Sequence, residues 1–369
     1  MTTTPLQPET ASRSSDDQRA SGDDLGRICI LGAAGSLGSE FMDLLRHTKT
    51  AGRPNTAATP TMLVGANHAD CDITDAQAVD RFVAKHRPDW VILTAAWTNV
   101  DGAEVASDQA FAVNEQGSAN VASACRRLGA RLVAFSTDFV FDGIDHQAPT
   151  PGQMRTRPYV EQDEPHPLSV YARSKLAGDQ AILAASPNAI ILRVGNLYGL
   201  GGHNFPARLA DLLTRRARDL RLDNERIMTP TWSAQVARQA IFLMEQNALG
   251  GLYHVTCQGQ ATWAEFAHRL CDLLDLPHDF AEIASADLNL PARRPAYHVL
   301  NNARLANLGW DLMPPWRDAL DTYVSLWRAG HEIDATTSSM NNAEDSPTIN
   351  DTNTARPKTH DQSNHRRNT

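Results

Sequence analysis

The run Tyr171-Ala172-Arg173-Ser174-Lys175 carries a phenol and an ammonium four residues apart, inside a helical pattern. That spacing puts both side chains on one helix face. A free phenol, with a pKa of about 10, is a poor acid or base near neutrality; a neighbouring ammonium stabilises the phenolate and brings it towards the working range. Thr137, in Ser136-Thr137-Asp138 at the end of an apolar run, adds a hydroxyl that can hold a carbonyl oxygen beside the phenol. Thr137, Tyr171 and Lys175 are therefore the candidate catalytic set, for proton transfer at a carbonyl or alcohol oxygen. A Y-x-x-x-K run also arises by chance on solvated helix faces. Its place after four strand–helix units and a strand-end hydroxyl is what points to chemistry. Asn114, in the helical stretch before that strand, is read as a structural tie or a relay member.

A second constellation lies near the start of the chain. Directly after the apolar run Arg27 to Leu31 comes Gly32-Ala33-Ala34-Gly35-Ser36-Leu37-Gly38, spaced G-x-x-G-x-x-G. Glycines there let the backbone turn tightly and approach a pyrophosphate, whose charge sits at the positive N-terminus of the next helix. Alone such a loop is only a strand–helix turn; between a strand and a helix it makes Gly32, Gly35, Ser36, Leu37 and Gly38 candidate contacts to a nicotinamide dinucleotide. Lys175 can then also reach the nicotinamide ribose. The second strand ends in Val64-Gly65-Ala66-Asn67-His68, without the carboxylate that would bind a ribose 2′-hydroxyl and repel a 2′-phosphate. Both NADPH and NADH are admitted, with a slight lean to NADPH. In Cys71-Asp72-Ile73-Thr74-Asp75, Asp72 can accept a hydrogen bond from the adenine amino group, with Ile73 beside it. The competing reading is that Asp72 or Thr74 merely caps the following helix.

The elements that must position these groups are legible as alternating patterns. Strands are expected at Arg27–Leu31, Met62–Ala66, Trp90–Ala96, Arg131–Ser136 and Ala189–Val194. Helices are expected at Leu37–His47, Ala76–His86, a stretch reaching Leu128, and Val170–Ala185. Strands apolar on both faces, alternating with helices, make a parallel sheet covered on both sides. The fold class is α/β: a Rossmann-like doubly wound parallel sheet with a smaller C-terminal substrate lobe. Residues 27–195 form the cofactor-binding core, with 230–256 returning to it, and 196–229 and 257–330 form the lobe. The lobe carries helical patterns near Asn204–Ala217, Ser233–Gln246, Thr262–Leu274 and Pro315–Trp327. Thr50 to Pro60 reads as a surface loop, and residues 1–26 and 331–369 as disordered tails, too poor in apolar residues to offset their ordering entropy.

The bulk properties exclude several classes. A formal net charge of −9 argues against a nucleic-acid partner. Five scattered cysteines with no C-x-x-C pair argue against a zinc site or a disulfide framework and suit the cytoplasm. No apolar run approaches a membrane span, and the N-terminus lacks the features of a signal peptide.

With these residues in place, the sequence resembles the dTDP-4-dehydrorhamnose reductase family of extended short-chain dehydrogenases/reductases. The resemblance runs over most of Arg27 to Ala329. It includes the glycine loop, VILTAAWTNVDGAE (Val91 to Glu104), FSTDFVFDG (Phe135 to Gly143), PLSVYARSKLAGD (Pro167 to Asp179), GGHNF (Gly201 to Phe205), MTPTWSAQVA (Met228 to Ala237), GLYHVT (Gly251 to Thr256) and Arg294-Pro295. The resemblance implies hydride transfer from NAD(P)H to the C4 ketone of a deoxythymidine-diphosphate sugar, with Tyr171 as proton donor. It implies that Ala95 and Ala96 line the cofactor. Trp97, Thr98, Thr137, Asn196, Asn204 and Arg294 face the nucleotide sugar, Arg294 as the cation for its diphosphate. Where the family commonly has Arg-Thr-Ser-Trp-Val-Tyr, this chain has Arg193-Val194-Gly195-Asn196-Leu197-Tyr198, so Asn196 replaces an aromatic wall. Some members bind magnesium at a dimer interface. No carboxylate cluster here matches, so no metal ligand is assigned, and a homodimer stays open. Two other classes stay open as well: a sugar-nucleotide epimerase or dehydratase, although Asp138 is followed by Phe139 rather than a second acid, and a non-catalytic regulatory subunit of the same fold.

Overall fold

The computed structural model describes residues 24–46, 60–201, 205–215 and 220–334. Both expected tails up to residue 23 and beyond 334, most of the expected surface loop, and Asn204 lie outside the described residues.

The first half of the chain alternates as its apolar runs predict. The order is β1 (Arg27–Leu31), α1 (Ser36–Arg46), β2 (Met62–Ala66), α2 (Ala76–His86) and β3 (Trp90–Leu93). There follow α3 (Val100–Val105), α4 (Ser107–Phe111), α5 (Ser118–Leu128), β4 (Arg131–Thr137), α6 (Val170–Ala185) and β5 (Ile190–Val194). The stretch read as one helix before β4 is in fact α3, α4 and α5, with a π-helical turn at Ala112–Gly117 between the last two. Such turns rotate the helix and are often found at functional sites. This one carries Asn114 inward, 1% exposed.

The second half contributes β6 (Leu197–Tyr198), α7 (Phe205–Thr214), β7 (Arg221–Asp223), β8 (Thr231–Trp232), α8 (Ser233–Glu245) and β9 (Gly251–His254). It ends with α9 (Trp263–Leu274), β10 (Ala281–Ile283), α10 (Ala303–Leu308) and α11 (Trp316–Asp334). The last helix runs past the expected end of the body at residue 330.

Six strands form one parallel sheet in the order β2-β1-β3-β4-β5-β9. Residues of one strand alternate between its two faces. Ile28 and Ile30 join an apolar cluster with Phe41, Ile92 and Leu192, while Cys29 and Leu31 join the opposite one with Val91, Val121 and Ile191. Neither face meets water, so neither needs polar residues, which is why β3 and β5 are buried throughout. β9 occupies the edge beside β5, and α8 packs against α1. The five cysteines are buried and unpaired. Burial pushes the thiols of Cys29, Cys125 and Cys257 up to about 12, so they pack as small apolar groups.

The chain leaves β1 for β2 on one side and then crosses to β3 on the other. The carboxyl ends of β1 and β3 therefore diverge into a crevice, the place where open α/β sheets take ligands. Outside this sheet are two small parallel pairs, β10 with β7 and β6 with β8. Tyr198 of β6 and Trp232 of β8 pack with Phe266, Trp316 and Tyr323, which ties the second pair to the core, while β7 of the first pair packs on α9. Among the described residues no helix is long and apolar enough to cross a membrane.

Candidate active site

The three glycines of the first loop do three different things. Gly32 has φ +93, a left-handed value that side chains resist, and its N–H and that of Ala33 donate to Ala66 O at 2.8 and 3.0 Å. A Cβ on Gly32 would also stand 2.4 Å from Ala95 N. At Gly38 a Cβ would meet Gly32 O at 2.2 Å, so this glycine is what lets α1 close on the loop. Gly35 is less crowded, with 3.3 Å to Gly32 O, and leaves the loop's outer surface bare. The first N–H groups of α1, including those of Ser36 and Leu37, have no partner within the helix. Leu37 itself is packed into the core. Thr94 Oγ1 donates to Leu31 O and Gly32 O, both at 3.0 Å, and Ala95 N donates to Leu31 O. These bonds fasten the end of β3, with Ala95 and Ala96, against the glycine turn. A loop whose missing side chains would collide with its own backbone, at the start of a helix and at the sheet's crevice, fits a dinucleotide pyrophosphate.

At the end of β2, Gly65 is exposed, and a Cβ there would meet Ala33 Cβ at 2.7 Å. Asp72 accepts from Thr74 N at 2.9 Å and from Thr74 Oγ1 at 2.8 Å. The cap of α2 is neither of these residues but Asp75, which accepts from Gln77 N and Ala78 N. Ile73 is buried where Gly117 leaves room, its side chain 2.8 Å from a Cβ placed on that glycine.

The other half of the site is α6. Ser169 caps it, accepting from Ala172 N, and Glu104 accepts from Val170 N at 2.8 Å, so the helix begins at a fixed point just before Tyr171. Tyr171 packs in one apolar cluster with Trp97 and Val170, and stands edge-on to Phe139 with centroids 6.2 Å apart. Lys175, one turn on, is buried and donates from Nζ to Phe135 O at 2.7 Å. Burial lowers the pKa of its ammonium, and the carboxylate of Asp179 opposes that shift. Asp179 is itself buried, which raises its pKa against the pull of Arg193 and Lys175. It accepts from Ser136 Oγ at 2.8 Å and Arg193 Nε at 3.3 Å.

Thr137 closes β4 as expected. Its oxygen accepts from Phe139 N at 3.2 Å and its hydroxyl donates to Asp138 Oδ1 at 3.1 Å. Asn114 serves as a tie: its Oδ1 accepts from Trp97 N, and its Nδ2 donates to Trp97 O and Ser174 Oγ. This joins the loop after β3 to the catalytic helix. Gly178 makes the approach feasible, since a Cβ there would be 2.2 Å from Asn114 O.

Of the proposed sugar contacts, Thr98 is exposed and Trp97 half-buried at the same rim. Asn196 has φ 42 and donates from Nδ2 to Asp138 Oδ2 at 3.3 Å, so it is tied to the catalytic strand. Arg294 departs from expectation. Its side chain is 1% exposed, and its fork binds both oxygens of Asp101, at 2.9 and 3.0 Å. As the structure stands it is a buried tie between α3 and the C-terminal lobe, not a free cation awaiting a diphosphate. A lone Arg-Pro pair carries no signal that a carboxylate 193 residues earlier will claim it. His298 was also missed: buried, with Nδ1 2.6 Å from Asp138 Oδ2, it sits in no motif. Among the described residues no group of three or more His, Cys, Asp or Glu is arranged to hold a metal ion.

Sheet, glycine cradle and Tyr–Lys helix together define a dinucleotide-binding enzyme of the short-chain dehydrogenase/reductase class. Residues 26–328 match the family model for the RmlD substrate binding domain, and the chain belongs to this dTDP-4-dehydrorhamnose reductase family. It is 37% identical to the dTDP-4-dehydrorhamnose reductase of Streptomyces griseus over 83% of this chain and 96% of that one. A solved dTDP-4-dehydrorhamnose reductase from Clostridium acetobutylicum is 31% identical with a TM-score of 0.73, covering 82% of this chain and 99% of the other. The Bacillus anthracis enzyme, solved in complex with NADP, is 29% identical with a TM-score of 0.71, covering 81% and 99%.

Proposed function

We propose that this protein reduces the C4 ketone of a nucleotide-linked 4-keto-6-deoxy sugar, dTDP-4-dehydrorhamnose foremost, giving dTDP-rhamnose. The observation that carries the reading is Tyr171 one helical turn from a buried Lys175, whose ammonium bonds Phe135 O on the strand that Thr137 ends. The sugar reductases named among its relatives support the substrate class. Bound at the glycine loop, NAD(P)H supplies the hydride that reaches C4. Gly32, Gly35, Ser36, Leu37 and Gly38 hold its pyrophosphate, Asp72 and Ile73 border its adenine, and Ala95 and Ala96 line its path. Tyr171 gives its phenolic proton to the ketone oxygen as negative charge develops there, and the buried Lys175 stabilises the phenolate left behind. Thr137 holds the same oxygen; Trp97, Thr98 and Asn196 border the sugar nucleotide. NADPH is the favoured cofactor, since Val64 to His68 at the end of β2 contain no acid, Asp70 being engaged by Asn67 N, and a relative is solved with NADP.

In this reading residues 27–195 and 230–256 hold the cofactor, and 196–229 and 257–330 the nucleotide sugar. The reading extends to a homodimer, which light scattering checks, and the free, buried cysteines suit the cytoplasm. A panel of nucleotide 4-keto-sugars with NADPH, followed by absorbance loss and product identity, tests the assignment. Consumption of NADPH with dTDP-4-dehydrorhamnose is the expected result. Binding of NADPH with turnover of no sugar in the panel would favour a regulatory subunit instead.

A further inference from the structure

Thr137 has a single proton, and two acceptors compete for it. In the structure that proton goes to Asp138 Oδ1 at 3.1 Å, while a reacting ketone oxygen needs the same donor. A carboxylate as buried as Asp138, 2% exposed, is costly unless donors surround it. Two come to its other oxygen: His298 Nδ1 at 2.6 Å and Asn196 Nδ2 at 3.3 Å. Because a carboxylate only accepts, Nδ1 of His298 carries the proton in that bond. Gly195 leaves space for this arrangement, since a Cβ there would stand 2.4 Å from Asp138 Oδ2. The His298 ring lies edge-on to Phe139 at 5.1 Å, and Phe139 lies edge-on to Tyr171. One side chain from the C-terminal lobe thus bonds the carboxylate that takes the Thr137 proton and packs on the ring that Tyr171 meets.

We propose that His298 is a positioning residue for the reduction. Its hydrogen bond to Asp138 Oδ2 satisfies the carboxylate, so that Thr137 can turn its proton from Oδ1 to the ketone oxygen without moving its own oxygen atom. Donors already bound to a carboxylate draw down the negative charge that would hold the next one. Without the imidazole, Asp138 keeps the Thr137 proton, and the ketone oxygen loses one of its two donors as charge develops on it. The interaction is made in the transition state and not with the resting ketone, so its loss falls on kcat and spares KM.

The inference rests on the reductase reading, and the test separates the two. The full chain is assayed with NADPH and dTDP-4-dehydrorhamnose, and again with NADPH deuterated at the transferred position. His298→Phe keeps a ring against Phe139 and removes the donor; His298→Asn keeps a donor near the Nδ1 position. The Phe variant should lose about ten- to a hundredfold in kcat, at or below the ~10²–10³-fold cost of an oxyanion donor removed outright, because Thr137 keeps its hydroxyl. Its KM and NADPH affinity should change less than about threefold, and its deuterium isotope effect should rise as hydride transfer becomes limiting. The Asn variant should recover most of kcat. Should the Phe variant fail to fold, Asn196→Gly removes the second donor while keeping the left-handed backbone, and should show the same loss of kcat and rise in isotope effect at smaller size; its KM is no readout, because Asn196 also borders the sugar. Equal loss of kcat in the Phe and Asn variants, no loss in either, or a rise in KM alone overturns the inference while leaving the reductase reading in place. A wild-type protein that reduces no nucleotide 4-keto-sugar overturns both.

Discussion

Around the glycine loop, backbone meets backbone inside the sheet's own core, Gly38 against Gly32 and Gly32 against Ala66 and Ala95, whereas on the sugar side the decisive bonds join side chains, Asp138 to His298 and Asp101 to Arg294, 160 and 193 residues apart. The cradle is specified by what is missing: at Gly32 and Gly38 any Cβ would strike backbone at 2.4 and 2.2 Å. The sugar side is specified by buried charged groups that must find partners, and the partners come from a different lobe. One region tolerates few residue types but needs little from the rest of the fold. The other admits many residue types provided that the two lobes are docked.

The largest expected effect lies where the two regions meet. Tyr171→Phe should lower kcat by about 10²–10⁴-fold with NADPH affinity unchanged, because only the proton donor is lost. Lys175→Ala should lose cofactor affinity as well as rate; a variant that lost rate alone would confine Lys175 to the sugar half. Next come the glycines. Gly38→Ala should weaken NADPH binding by at least about tenfold and lower Tm by several degrees, since backbone must move by a large part of an ångström. Gly35→Ala should leave Tm nearly unchanged and weaken only the cofactor, and equal effects on Tm would show that the two glycines do not divide the work. Arg294→Ala leaves the Asp101 carboxylate without its fork and should cost about 3 kcal/mol, read as lost Tm. A tenfold rise in KM for the nucleotide sugar with Tm unchanged would return Arg294 to the diphosphate.

The smallest effect concerns Glu40, which reaches from α1 to accept from Ser233 Oγ and Leu200 N. Burial raises the pKa of this carboxyl. The folded state therefore binds its proton more tightly than the unfolded chain. That stabilisation is full at low pH and is lost as pH rises through the folded-state pKa. Glu40→Gln keeps an acceptor and removes the charge. Its Tm should match the wild type at about pH 4 and exceed it by about 1–2 °C at about pH 8. A constant difference across that range would mean that Glu40 does not titrate with folding.

The same contrast explains what the sequence made legible. The five strands, the loop from Gly32 to Gly38 and the Tyr171–Lys175 spacing are local patterns, governed by short-range sterics and periodicity, and they were readable in one dimension. The π-helical turn at Ala112–Gly117 was not, because its cause is tertiary: Asn114 is drawn in by Trp97 and Ser174, and Gly178 admits the contact. Asp72 and Asp75 both suit a cap, and only the backbone decides for Asp75. Arg294 misled for the opposite reason. Its type suits a phosphate, but burial had already committed it to Asp101, and His298 gave no signal because nothing nearby in the chain hints at its distant partner.

The central claim is that this site carries hydride to a sugar carbon. The most direct measurement gives the protein dTDP-4-dehydrorhamnose with NADPH deuterated at the transferred hydrogen and locates the deuterium in the product. The account predicts one deuterium, bonded to C4 of the sugar, with a hydroxyl newly formed on that carbon. Sugar consumed without deuterium at C4, or deuterated cofactor recovered unchanged, would contradict it.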